Sequence, residues 1–260
     1  MHIRRLAWAG LEIEAAGTTL VVDLVRYPTE LFGLRNPEAE LPLPAAGSVD
    51  AALVTHLHAD HTGVPALVRA LRPGAPVFRP APFADALTEQ VERDLSASGL
   101  VTEVMAEWDR REVGPFRITA VPAVDGLGSP QVSWVVEAGG RRVLHGGDTL
   151  FHGAWWSIAQ RCGPFDAVFL PINGPVVDAP ALQPPSPFPA ALTPRQAAVA
   201  ARILGASAAV PIHHDDEHLI KPAGYVEADG PIAEFRRHAG ELAHVLDVGE
   251  HLDLAPDLAA

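Results

Sequence analysis

The chain has 260 residues with 19 basic and 32 acidic side chains, so its formal net charge is −13. An acidic chain without a Lys/Arg cluster is a poor nucleic-acid binder, and a single cysteine, Cys162, excludes a disulfide framework or a cysteine-based zinc site. No uncharged apolar run approaches the roughly 20 residues that cross a bilayer, and Glu12 and Glu14 interrupt the N-terminal apolar residues. We therefore expect a soluble cytoplasmic protein with neither a membrane span nor a signal peptide.

Strand-like and helix-like patterns alternate along the chain. Short β-branched runs predict buried strands at residues 19–22, 51–55, 116–121, 132–136, 142–144, 167–170 and Ala208–Ile212. Helices are predicted at residues 64–71, 83–97, 154–161, 195–204 and 231–238. The fourth helix has the clearest ends, with Thr193 as cap, Pro194 in the first turn and Gly205 after the last turn. Adjacent glycines within residues 137–142 predict a hairpin turn.

This order of elements predicts one α/β domain over residues 1–260, with sheets covered by helices. Two proline-rich stretches, residues 27–48 and 176–194, predict long loops. Loops of this length in a compact domain are often functional, and a surface insertion is the alternative interpretation.

Three histidines and an aspartate lie within six residues, directly after an apolar strand. Imidazole is the commonest side-chain metal ligand, and a carboxylate adds negative charge. In an extended chain His56 and His58 point to the same side, whereas Asp60 and His61 turn toward a second point as the next helix begins. This segment can therefore supply ligands to two adjacent metal ions. The competing interpretation is a solvated histidine-rich loop.

One segment cannot complete two metal sites, so further ligands must come from other strand ends. Asp125, Asp148 and His213 each follow an apolar strand and begin a loop. Strand ends are where α/β folds place their sites, which makes these three residues candidate ligands.

The sequence HLHADH at residues 56–61 resembles the signature of the metallo-β-lactamase superfamily. The sequences GDT at 147–149 and PIH at 211–213 resemble its later landmarks. Within the superfamily, the chain looks most like the metal-dependent hydrolases that include ascorbate-6-phosphate lactonase and proteins of the N-acylphosphatidylethanolamine phospholipase D type. The resemblance covers nearly the whole chain. It implies an αββα sandwich of two mixed β-sheets flanked by helices, with two metal ions at one edge.

The resemblance also implies the metal ligands. His56 and His58 would bind the first ion. Asp60, His61 and His213 would bind the second ion, and Asp148 would bridge both. Asp23, at the end of the strand over residues 19–22, matches a family aspartate near the site, and a structural role is the favoured interpretation for it.

At residue 125 the chain departs from the family pattern, because related hydrolases usually carry a histidine there as the third ligand of the first metal. Three explanations compete. Asp125 ligates directly; His145 or His152 substitutes for the missing histidine; or the first site is weak or vacant. A carboxylate in place of imidazole should shift the preference from zinc toward manganese or iron.

These features predict an enzyme, a binuclear metal-dependent hydrolase acting on a small phosphoester, lactone or amide. Two ions, zinc being the expected metal and manganese or iron the alternatives, would lower the pKa of a shared water from about 15.7 toward 7 and yield a metal-bound hydroxide. Asp148, as the bridge, and Asp60, which would orient the water, are the candidate catalytic residues.

Two other functions stay open. One is a metal-dependent oxidoreductase on the same scaffold, iron-containing and dioxygenase-like; the other is a non-catalytic metal-binding protein. The expected partner is a small-molecule substrate and not a nucleic acid, and a homo-oligomer is an option because related lactonases often assemble. Asn173 follows a strand end, where a pocket-facing residue and an ordinary Asn-Gly turn are equally good explanations.

Overall fold

Two large β-sheets form the centre of the protein, in a computed structural model that describes residues 1–26, 42–83, 85–214 and 223–255. The first sheet has seven strands in the spatial order β15 (His251–Asp253), β1 (His2–Arg5), β2 (Leu11–Ala15), β3 (Thr18–Val22), β4 (Ala51–Leu53), β5 (Pro76–Arg79) and β6 (Val101–Val104). The strands from β15 to β3 pair antiparallel, and those from β3 to β6 pair parallel.

The second sheet has six strands in the order β13 (Ala208–Ile212), β11 (Ala167–Pro171), β10 (Arg141–His145), β9 (Val132–Ala138), β8 (Phe116–Pro122) and β7 (Arg110–Val113). Its first three strands are parallel and the remaining pairs are antiparallel. The predicted hairpin turn joins β9 to β10. A separate two-stranded sheet consists of β12 (Val176–Val177) and β14 (Tyr225–Val226).

Within the described ranges, five helices cover the outer faces of the two large sheets. Two lie against the first sheet, α1 (Val64–Ala70) and α2 (Glu89–Ala97). Three lie against the second sheet, α3 (Trp155–Cys162), α4 (Pro194–Ile203) and α5 (Pro231–Ala239), the last followed by a 3₁₀ turn at Gly240–Leu242. The cap predicted for the fourth helix is present as a capping box, in which Thr193 Oγ1 accepts from the backbone N–H of Gln196 and the Gln196 side chain accepts in return.

The alternation of side chains along each strand builds three apolar layers. On β3, Leu20 points into the layer between the sheets and Val21 into the layer under α1 and α2. On β9, Trp134 enters the inner layer and Val135 the layer under α3, α4 and α5. Helix, sheet, sheet and helix therefore stack in the predicted αββα order.

Several predicted bounds change for local reasons. The helix predicted over residues 83–97 begins at Glu89, because Asp85 Oδ1 accepts the backbone N–H groups of Leu87 and Thr88 and holds that stretch in a turn. The strand predicted over residues 51–55 ends at Leu53, and the backbone N–H of Thr55 instead donates to Asp23.

The two predicted loops have different outcomes. Within the stretch 176–194, residues 178–193 contain neither helix nor strand, in agreement with the prediction, whereas β12 occupies its start. Residues 27–41 of the other stretch lie outside the described residues, and residues 42–48 contain neither helix nor strand.

Candidate metal centre

The predicted ligands lie at one edge of the sandwich, in loops that follow β4, β8, β10 and β13. All seven residues are at most 8 % exposed. Within each of two groups, ligand atoms from every member lie within 4.8 Å of one another. The first group is His56, His58 and Asp125; the second group is Asp60, His61, Asp148 and His213.

The loop after β4 turns sharply so that four of its side chains reach both groups. The backbone N–H groups of His61 and Thr62 both donate to the carbonyl of His58, which closes the turn before α1. Gly63 then passes close to a neighbouring loop, where an added Cβ would lie 2.8 Å from the Leu24 carbonyl oxygen. Only glycine fits this approach without displacement. The glycine two residues after the His-x-His-x-Asp-His motif therefore lets the chain enter α1.

Asp23 determines the protonated nitrogens of two histidines. Thr55 Oγ1 donates to Asp23 Oδ2 at 2.7 Å, so the same hydroxyl must accept from Nδ1 of His56, 3.0 Å away. Nδ1 of His61 donates to Asp23 Oδ2 at 2.8 Å. In both rings Nδ1 carries the proton, which leaves Nε2 as the nitrogen that faces the metal groups.

His213 is oriented by a separate chain of hydrogen bonds. Its Nδ1 donates to Asn173 Oδ1 at 2.7 Å. The Asn173 amide nitrogen in turn donates to the Tyr225 hydroxyl and to Glu227, which fixes which end of the amide faces the histidine. Asn173 therefore faces the site, and Nε2 of His213 lies 2.9 Å from Asp148 Oδ2.

Asp125, the residue that departs from the family pattern, belongs to the first group. Its Oδ2 accepts the backbone N–H groups of Leu127 at 3.2 Å and Ser129 at 2.8 Å. The two proposed substitutes lie in neither group of the described residues. His145 donates through Nε2 to the Ala9 carbonyl, and His152 accepts the Ala154 N–H at the start of α3. The geometry therefore favours direct ligation by Asp125.

Several buried polar atoms in the two groups have no hydrogen-bond partner, namely Nε2 of His56, His61 and His213 and Oδ1 of Asp60 and Asp148. Leaving such atoms without partners is costly unless another species satisfies them. Nitrogen lone pairs and carboxylate oxygens at this spacing fit divalent cations, so the residues present suit the metal ions that the family resemblance implies.

The electrostatics of the second group also suit cations. Burial alone would raise the pKa of Asp148, but the His213 and His61 imidazoles hold it well below its usual range. Burial would likewise lower the pKa of His61, yet the nearby carboxylates, with Asp148 first, raise it well above the ordinary value. A bound cation would replace the histidine proton, so metal affinity in this group should increase with pH.

His56 differs from His61 in its protonation. Burial lowers its pKa well below the ordinary value, and the neighbouring His61 and His58 add to the effect. The ring is therefore neutral at physiological pH, which is the form that binds a metal ion.

Two contacts of this centre were not predicted from the sequence. Trp8 Nε1 donates to Asp60 Oδ2 at 3.1 Å, and the Trp8 ring lies 4.1 Å from that of His213. Tyr225 lines a cavity of about 20 Å³ that members of both groups also line. Its other lining residues are Leu127 in the loop after β8, Pro175 in the loop after β11, Val177 in β12 and Ala190 in the loop before α4. Neither Trp8 nor Tyr225 lies in a motif, so no local pattern predicted either residue.

Residues 27–214 match the family described as the beta-lactamase superfamily domain. The chain belongs to the metallo-β-lactamase superfamily. A relative from Rubrobacter xylanophilus, named UPF0173 metal-dependent hydrolase, is 30 % identical over 227 residues, which cover 84 % of this chain and 84 % of the relative. The predicted superfamily is thus confirmed. The name of this relative also agrees with the enzyme class predicted from the sequence, a metal-dependent hydrolase.

Solved structures share the fold at lower identity. CmlA, a diiron β-hydroxylase from Streptomyces venezuelae, is 20 % identical with a TM-score of 0.73, covering 97 % of this chain and 54 % of that chain. Igni18, a metallo hydrolase from Ignicoccus hospitalis, is 17 % identical with a TM-score of 0.67, covering 98 % and 99 %. These likenesses confirm the αββα fold of this superfamily member. Among its described residues, no helix is long and apolar enough to cross a membrane.

Proposed function

We propose that the protein is a binuclear metal-dependent hydrolase of a small molecule with a phosphoester, lactone or amide bond. One observation carries this proposal, namely two adjoining groups of buried metal-ligand side chains. Five of their atoms have no hydrogen-bond partner: Nε2 of His56, His61 and His213, and Oδ1 of Asp60 and Asp148. A single group would support one ion, whereas two groups support a pair that shares Asp148. Zinc is the first candidate, followed by manganese and iron. The relative from Rubrobacter xylanophilus, named a metal-dependent hydrolase, supports the reaction class.

Two ions held here would lower the pKa of a water to near neutrality and stabilise the negative charge that develops on the attacked group. The protein's own side chains hold that chemistry in place. Asp148 lies 3.1 Å from Nε2 of His61 and 2.9 Å from Nε2 of His213, so its two oxygens face different histidines. Asp60 is anchored at Oδ2 by Trp8, while its Oδ1 is buried without a partner and is placed to orient the attacking water.

A second function is favoured by the composition of the first group. Two imidazoles and one carboxylate, from His56, His58 and Asp125, form the donor set that non-haem iron oxygenases use, with positions left for oxygen and substrate. An iron-dependent oxidation by dioxygen is therefore the alternative to hydrolysis. A non-catalytic metal-binding role is the third option. The identity of the metal separates the first two functions, and turnover separates both from the third.

The decisive experiment is metal analysis of protein purified without chelator or histidine tag, by inductively coupled plasma mass spectrometry. About two ions per chain are expected for the wild type, and Asp125→Ala should lose about one. Zinc or manganese would direct assays to phosphodiesters, lactones and amides, including ascorbate 6-phosphate and N-acylphosphatidylethanolamine. Iron would direct them to oxygen consumption. One ion or fewer in the wild type would contradict a binuclear hydrolase, and an unchanged Asp125→Ala variant would remove that residue from the ligands.

We further propose a single domain over residues 1–260 and a cytoplasmic location. Its proposed partner is a small-molecule substrate and not a nucleic acid, and a homo-oligomer is an option. Sedimentation of the purified protein tests the oligomer.

A further inference from the structure

Ser129 contacts two different ligands of the first group. Its backbone N–H donates to Oδ2 of Asp125 at 2.8 Å, and its hydroxyl oxygen lies 3.0 Å from Nε2 of His58. The residue is 5 % exposed. One buried serine therefore connects a carboxylate and an imidazole that the metal group needs in a fixed relation to each other.

Asp85 determines the direction of the bond between Ser129 and His58. The Ser129 hydroxyl donates to Asp85 Oδ2 at 3.1 Å, and a hydroxyl has only one proton to donate. Its oxygen must then accept from Nε2–H of His58. The protonated nitrogen of His58 is therefore Nε2, and Nδ1 is the nitrogen with a lone pair for a cation.

The Asp85 carboxylate is itself held in place by the loop before α2. Its Oδ1 accepts the backbone N–H groups of Leu87 at 2.8 Å and Thr88 at 2.9 Å. Partial burial opposes its ionisation, but these hydrogen bonds keep the pKa of Asp85 below its ordinary value. Asp85 is thus a charged, fixed acceptor for Ser129.

The same serine also determines which oxygen of Asp125 is available. Oδ2 is occupied by two backbone N–H groups, those of Leu127 and Ser129. Oδ1 is the other carboxylate oxygen, and neither of these two backbone bonds uses it. A carboxylate held in this way presents one oxygen instead of both, which suits a single bond to a metal ion.

We propose that Ser129, anchored by Asp85, is the positioning residue of the first group, presenting Nδ1 of His58 and Oδ1 of Asp125 to one cation. This inference rests on the proposed function, because it requires an ion in that group. It adds two residues, Ser129 and Asp85, that touch no ion themselves.

Cobalt(II) titration of the metal-free protein tests the proposal, with visible absorption and metal content as readouts. Ser129→Ala should weaken binding at the first group about 10- to 100-fold and leave the second group unchanged. Ser129→Thr keeps the hydroxyl and should recover most of the affinity. Ser98→Ala is the matched control, because that hydroxyl donates to the Leu95 carbonyl at the end of α2, outside the site. Wild-type affinity in Ser129→Ala would overturn the proposal.

A second measurement reads the proton on His58 directly. Long-range ¹H–¹⁵N spectra of the metal-free wild type, at about pH 8.5 and thus roughly two units above the ordinary histidine pKa, should show the proton on Nε2. A proton on Nδ1 would overturn the proposal even if Ser129→Ala fails to fold. Asp85 contacts the site through Ser129 and also accepts the N–H groups of Leu87 and Thr88. Asp85→Ala should therefore also weaken the first group, and unchanged affinity would contradict its role as anchor. A wild type that takes up only one cobalt ion while His58 shows the Nε2 proton would count against the proposed function and leave this hydrogen-bond assignment standing.

Discussion

Asp23 Oδ2 lies 2.8 Å from Nδ1 of His61, and Asp23 itself has a left-handed backbone with φ of +46°. Its Oδ1 accepts the backbone N–H of Thr55 at 2.8 Å. Because the Thr55 hydroxyl also joins Asp23 to His56, one carboxylate orients a histidine in each metal group. Its role is therefore to position ligands and to connect two loops at the same time.

Asp23→Asn should lower metal affinity at the second group about 10- to 100-fold. The substitution removes the negative charge and one of the two carboxylate oxygens that accept from Thr55 and His61. Asparagine tolerates the left-handed backbone, so the local conformation should persist. Metal titration checks this expectation. Asp50→Asn is the matched control, since Asp50 also accepts a backbone N–H, that of Thr19, away from the site. Equal losses in the two variants would show a general effect of removing a carboxylate.

Asp148→Asn should reduce kcat/KM at least about a thousandfold on any substrate that the wild type turns over. An amide offers one acceptor oxygen and cannot face His61 and His213 with two carboxylate oxygens, as Asp148 does at 3.1 and 2.9 Å. Steady-state kinetics with circular dichroism of the same samples separates lost chemistry from lost folding. Turnover near the wild-type rate in a folded variant would count strongly against the mechanism.

Gly126→Ala should destabilise the protein by about 2 kcal/mol or more and weaken the first metal group. A Cβ at residue 126 would lie 2.2 Å from the Ala190 carbonyl oxygen, so the loop that carries Asp125 would have to move. Gly153→Ala is the control, because no atom lies within 4 Å of its added Cβ. Urea denaturation and metal content should change for residue 126 and stay constant for residue 153; equal behaviour would argue against the steric account.

The free energy of unfolding should decrease as the pH falls from 6.5 toward 4, because of His152. Burial lowers the pKa of His152 from 6.5 to about 4, so over this interval the unfolded chain binds the proton more readily than the folded chain. Protonation would also oppose the bond from the Ala154 N–H to Nδ1 at the start of α3. His152→Asn keeps an acceptor but does not titrate. Urea denaturation of metal-free protein should show a shallower pH dependence in this variant, whereas parallel curves would refute the assignment.

The metal groups could be predicted because their signal is local. The histidine spacing at residues 56–61 and the polar residues after strands, Asp125, Asp148 and His213, each follow from a short pattern and the rule that sites form at strand ends. The position of Asp125 beside the other candidate ligands depends on the fold. An isolated β-bridge between Asp125 and Thr149 brings the loop after β8 beside the loop that carries Asp148.

The residues that orient the ligands could not be predicted in this way. Asp85 and Ser129 are 44 positions apart, and Trp8 and Asp60 are 52 apart, so their contacts exist only after the sheets and loops have packed. Eight of the fifteen strands in the described residues were not predicted, namely β1, β2, β5, β6, β7, β12, β14 and β15. Of these, β2 had a usable signal, because Leu11 and Ile13 alternate with glutamates in the pattern of a half-buried strand.

The candidate ligands come from both sheets, four from the loop after β4 and three from loops of the second sheet. A cation shared by His61 and His213 would join positions that are far apart in the unfolded chain. Closing so long a loop restricts the unfolded ensemble in the way a disulfide does. A chain with one cysteine would thus gain a reversible cross-link whose strength is set by the surrounding concentration of metal ions, and its lifetime against proteolysis should depend on that concentration.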